Sequence, residues 1–61
     1  MTTDRRLYRR QLRVLRDGRR LALDTARFMR RWGCGDPAAC IERAWLDHRA
    51  IMAMLRLGEP S

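Results

Sequence analysis

One short segment, Gly33-Cys34-Gly35-Asp36-Pro37, most constrains what this chain can become, because it is the strongest break in an otherwise helix-compatible sequence. Gly33 suits the left-handed residue that closes a helix, a backbone conformation that glycine adopts freely. Asp36 offers an acceptor to the free N–H groups of a first turn, and Pro37 sits where no N–H is needed. The pattern predicts helix 1 from about Asp4 to Trp32, a turn at 33–36, and helix 2 from Pro37 to about Leu57, ended by Gly58 and Pro60. So short a connection makes the helices antiparallel. The expected fold is all-α: a two-helix antiparallel hairpin forming a single domain over residues 1–61.

Helix 1 divides into two faces. Leu7, Val14, Leu21 and Phe28 recur every seventh residue, and Tyr8, Leu12, Leu15, Ala22, Ala26 and Met29 run beside them. The opposite face carries Arg6, Arg9, Arg13, Arg16, Arg20, Arg27 and Arg31. Asp17 and Asp24 lie at its edge, three or four residues from arginines, where such pairs contribute about 0.2–0.5 kcal/mol each. Gly18 falls in the apolar face and costs about 1 kcal/mol against alanine. With Ala22 and Ala26 it makes a lane of small residues, suited to close approach or to receiving Trp45 or Met52.

Helix 2 reads as apolar on two sides. Ile41, Ala44, Trp45, His48, Ile51, Met52 and Leu55 form the stripe expected to meet helix 1, and Leu46, Ala50, Ala53, Met54 and Leu57 form a second strip. A helix apolar around most of its circumference is usually buried, and one neighbour cannot cover both sides. Folding about residues 34–35 sets Phe28 near Ile41, Thr25 near Trp45, Gly18 near Met52 and Val14 near Leu55. Helix 2 then ends before it can cover Leu7, Tyr8 and Leu12.

Size sharpens the point. A chain of 61 residues buries only about 60% of its unfolded surface even when globular, and a hairpin buries less. Disulfides, a metal or oligomerisation must supply the rest. The two cysteines, Cys34 and Cys40, are too few for a disulfide framework. A homodimer forming a four-helix bundle answers both demands. Its core and interface are expected to draw on Leu7, Tyr8, Leu12, Leu15, Gly18, Ala22, Trp45, His48, Met52 and Leu55. Leu46, Arg49, Met54, Arg56 and Leu57 are left to meet another protein, since methionine and arginine suit adaptable interfaces.

The net charge is +7, and all 14 basic residues are arginine. An absence of lysine points to a GC-rich genome. The excess favours an acidic partner: nucleic acid, an anionic membrane or an acidic protein surface. For nucleic acid the candidate residues are Arg6, Arg9, Arg13, Arg16, Arg20 and Arg27, which could neutralise several phosphates. The stripe lacks the side chains that read base edges, and Gln11 falls on the apolar side. Interspersed aspartates disfavour an anionic membrane. A stripe of this kind is also what the solvated exterior of any bundle requires. No apolar run has the length of a signal h-region or a membrane span, and Asp4, Asp17 and Asp24 argue against a presequence. The expected setting is cytoplasmic, with reduced thiols.

Catalytic and metal motifs are absent from the sequence. Cys34, Cys40 and His48 are the only soft ligands, fewer than zinc's usual four and without its closely spaced pairs. No serine or paired carboxylate stands where it could act with His48, so a structural histidine bonded to a neighbour such as Thr25 is expected. No catalytic residue, metal or cofactor is assigned. In size and plan, though in no motif, the chain loosely resembles the small helical-hairpin dimers encoded by plasmids and phages, which act by binding host or replicon components. The expectation is a non-enzymatic regulator that inhibits or redirects a host protein. A nucleic-acid binder using the arginine face, and a small structural subunit of a larger complex, are the alternatives.

Overall fold

The computed structural model describes residues 2–60, with side chains described from residue 4. It contains two helices, α1 (Thr2–Trp32) and α2 (Pro37–Leu57), packed antiparallel along most of their length. Helix α1 starts two residues before the expected Asp4.

The turn is built by local chemistry. Gly33 takes φ +65°, and the Cys34 N–H donates to the Met29 carbonyl at 3.0 Å. That is the long bond of a Schellman closure. Asp36 caps α2: its carboxylate accepts from the Ala39 N–H at 3.3 Å, and Pro37 follows at the first helical position. Gly35 is the more constrained of the turn glycines. It has φ +69°, and a Cβ there would lie 2.8 Å from Met29 Sδ, whereas a Cβ on Gly33 would meet open space.

Burial in the seam between the helices is slight. Ala26, Ala44 and Ile51 are the buried apolar residues, and Asp47 is buried with them. The molecule is a slab, with Cα extents of 48 × 16 × 10 Å. Tyr8, Leu12, Leu15, Ala22 and Met29 turn toward the seam and are half-buried. The row Leu7, Val14, Leu21 and Phe28 stays outside it, each residue more than half exposed.

Helix α2 is rotated from the orientation its apolar pattern suggested. Ala44, Asp47 and Ile51 face α1, while Trp45 and Met52 lie beside the seam with 61% and 42% exposure. The cause is the lane at Gly18, Ala22 and Ala26. Small residues let the backbones approach, and a tryptophan cannot enter so narrow a gap. Gly18 meets the Asp47 carboxylate rather than Met52: a Cβ there would stand 3.0 Å from Asp47 Oδ2.

The far end also differs from expectation. Tyr8 and Leu12 are covered, because Tyr8 Oη donates to the Met54 carbonyl at 3.0 Å and the chain continues along α1 after α2 ends. Gly58, at φ +78°, makes the bend, and its N–H bonds back to the Met54 carbonyl. Glu59 then pairs with Arg9 and Arg5. Of the three residues expected to overhang, Leu7 alone remains exposed.

Candidate partner-binding surfaces

Rotation of α2 leaves large apolar side chains on both flanks of the slab. A residue one position before the inward row of α1 lies about 100° to one side of it, so Leu7, Val14, Leu21 and Phe28 line one flank. Arg19 and Leu23 lie toward the other, because they share a groove with Trp45 and His48 of α2. The opposite edge of α2, carrying Leu46, Ala50, Ala53 and Leu57, therefore joins the heptad row. This first flank carries large apolar side chains at intervals along its length, with Gln11 and Thr25 among them. Phe28 and Trp32 extend it toward the turn, their rings 6.1 Å apart and tilted.

The second flank holds a groove of about 390 Å³ lined by Arg19, Leu23, Ala44, Trp45 and His48. Ala44 forms its buried floor. The His48 ring meets Trp45 edge-on, with centroids 5.7 Å apart. Arg19 Nη1 lies 3.0 Å from His48 Nδ1. A guanidinium only donates, so Nδ1 is the acceptor and the ring hydrogen sits on Nε2. This partner replaces the expected Thr25.

Around the outer side of α1 the arginines line two shallow troughs. One holds Arg6, Arg9, Arg10 and Arg13 around Leu7; the other holds Arg16, Arg19, Arg20 and Arg27 together with Leu23, Asp17 and Asp24. The expected pairing of these two aspartates along α1 does not form: among the described residues the ion pairs are Arg5–Glu59, Arg9–Glu59 and Arg43–Asp47. Glu59 titrates below the ordinary carboxylate range, chiefly because Arg9 donates to it. Arg43 stands 3.7 Å from Asp47 and is largely exposed, so it compensates that carboxylate only weakly.

The sequence-derived interface set is thus divided. Tyr8, Leu12, Leu15, Gly18 and Ala22 lie toward the seam, Leu7 is on the first flank, and Trp45, His48, Met52 and Leu55 border the second. Of the residues left for another protein, Met54 turns inward, Leu46 and Leu57 are on the first flank, and Arg49 and Arg56 are exposed. The groove residues Arg19 and Leu23 escaped the sequence reading, yet both carried a signal. Arg19 lies seven residues from both Leu12 and Ala26, in an inward-facing row. Leu23 lies seven after Arg16, an apolar residue set among arginines.

Cys34 is exposed, and Cys40 is half-buried with Sγ 3.8 Å from Met29 Sδ; both are free thiols. Among the described residues no cluster of three or more histidine, cysteine or carboxylate side chains gathers, and no helix is long and apolar enough to cross a membrane. No known family's sequence profile, no curated protein and no solved structure matches the chain.

Proposed function

We propose that this chain is a small non-enzymatic regulatory binding protein that works as a homodimer, forming a four-helix bundle, and binds a host protein so as to inhibit or redirect it. One observation carries the reading: large apolar residues such as Leu21, Phe28, Trp45 and Leu57 are exposed, while among the described residues the seam fully buries only Ala26, Ala44 and Ile51 of the apolar side chains. A monomer seldom leaves so much apolar surface in contact with water. A face of 48 × 16 Å offers roughly 770 Å², close to the ~800 Å² each partner contributes to a standard stable interface. The first flank, with large apolar side chains spaced along its length, suits the second copy. Size and plan fit a phage or accessory-element product acting in the cytoplasm.

Sedimentation equilibrium at micromolar concentration tests this. A mass of two chains is expected, and a well-folded monomer would sink the reading.

The two arginine troughs favour a second reading, a nucleic-acid binder. It requires duplex DNA or structured RNA to bind at low salt with a steep salt dependence that Arg9→Glu and Arg16→Glu remove. No binding at low salt eliminates it.

A further inference from the structure

We infer that the groove between Leu23 and Trp45, continued by the adjoining arginine trough, docks an acidic amphipathic segment of a protein. The segment sets one bulky apolar side chain over Ala44 and its carboxylates against Arg16, Arg19 and Arg20. The inference rests on the reading of the chain as a homodimeric binding protein, and gives that reading a surface and a partner chemistry.

The groove has a definite chemical character. Its floor is a buried alanine, a notch between two large apolar walls. Its volume of about 390 Å³ lies at the lower end of the roughly 300–1,000 Å³ found for ligand clefts, so it has room for a bulky side chain and part of the backbone that carries it. Every polar side-chain group left free around it is a donor. Trp45 has only its indole N–H, and Arg19 keeps the guanidinium hydrogens not directed at His48. His48 has used its acceptor nitrogen on Arg19 and keeps its Nε2–H. An apolar notch rimmed only by donors is matched by an apolar side chain next to an acceptor-only group. Among protein side chains that group is a carboxylate.

Charge extends the match beyond the notch. The trough shares Arg19 and Leu23 with the groove and adds Arg16, Arg20 and Arg27. It also contains Asp17 and Asp24, which are exposed and have no ion pair among the described residues. A nucleic-acid backbone presents a phosphate at every step, so it must pass these two carboxylates with like charge. A peptide can space its acidic residues to meet the arginines and present neutral or basic ones to the aspartates. The observations therefore favour protein over nucleic acid. The site is also free when the chain pairs, because the heptad row lies on the other flank.

Trp45 supplies the readout. The chain has two tryptophans, so Trp32→Phe leaves Trp45 as the sole tryptophan, and excitation at the red edge of indole absorption leaves Tyr8 dark. The full-length variant is titrated with a short synthetic peptide carrying one leucine flanked by glutamates. Parallel titrations use the same peptide with alanine for leucine, the same peptide with glutamine for glutamate, and an oligothymidylate of equal length. Saturable binding with a blue shift of Trp45 emission is expected for the first peptide. Each altered peptide should bind roughly tenfold more weakly or worse. Leu23→Asp, shown to remain helical by circular dichroism, should abolish the shift; if it unfolds, Arg19→Gln should weaken binding instead. The inference is overturned if the first peptide fails to bind, if the alanine peptide binds equally, or if oligothymidylate binds as tightly. Sedimentation of the same sample separates the two readings. A dimer that ignores the peptide defeats the docking inference alone, whereas a monomer that binds it defeats the dimer alone.

Discussion

Between α1 and α2 the fully buried residues are small or polar apart from Ile51, while most of the large apolar side chains stand exposed along the flanks. The seam is held by Ala26, Ala44 and Ile51 and by the Tyr8 hydroxyl on the Met54 carbonyl, and Asp47 fits into it against Gly18. The flanks carry leucines, Phe28 and both tryptophans, most of them more than half exposed. Burial of apolar area is the dominant favourable contribution to folding, at about 25 cal/mol per Å². A seam whose fully buried apolar side chains are two alanines and one isoleucine captures little of it. The contacts between α1 and α2 thus set the relative placement of the helices, and most of the chain's capacity for apolar burial remains on the outside. Changes in the seam should alter the stability of the hairpin, and changes on the flanks should alter what it associates with.

The sharpest way to break that division is on the heptad row. Leu21→Glu with Phe28→Glu should raise the dimer dissociation constant by roughly a hundredfold or more, since each large apolar side chain buried contributes about 1.5–3 kcal/mol. Sedimentation velocity measures this. If the double variant associates like the parent, the first flank is not where copies meet.

Next in size are the turn glycines. Gly35→Ala forces a side chain into a left-handed backbone and against Met29, and should cost about 2 kcal/mol; Gly33→Ala, with open space around it, should cost about 1 kcal/mol. Thermal melts should preserve that order.

A smaller effect of opposite sign is expected within the seam. Asp47→Ala removes a buried carboxylate with one distant, exposed partner and replaces it with a better helix former. It should raise stability by about 0.5–1 kcal/mol in urea unfolding. A loss instead would show that Asp47 holds the seam together.

The smallest effect is at the chain's end. Glu59 has a lowered titration point in the folded state, so its contribution is present above the ordinary carboxylate range and fades as pH falls through the lowered value. Acidification should slightly lower the amide protection factors (exchange rates corrected for their intrinsic pH dependence) in the last turn of α2, and Glu59→Gln should remove that effect.

The legibility of the structure followed the range of the interactions concerned. Gly33, Asp36 and Pro37 act on residues within a turn of themselves, so two packed helices could be read directly from their order. The face that α2 turns inward depends on what lies opposite. With two apolar stripes on one helix, periodicity alone could not choose between Trp45 and Asp47. The choice fell to the Gly18 gap, which rewards a short side chain. A buried aspartate runs against the usual ordering of residues by burial, so the hydrophobic pattern pointed away from it. Likewise Arg19 was hidden by its neighbour Arg20, although its spacing from Leu12 and Ala26 placed it inward. The return of Glu59 along α1 turns on the bend at Gly58, which the sequence marked only as a helix stop.

The slab's proportions also govern how it moves through solution. A compact chain of this length would have a radius of gyration of roughly 10.5 Å, whereas the Cα atoms here give 14.3 Å. Such a shape meets more drag than its mass implies and enters fewer pores of a gel matrix. A single folded copy would elute early and could be mistaken for a pair. Its state of association is therefore a question for absolute mass, by scattering or sedimentation equilibrium, and elution volume is a poor guide to it.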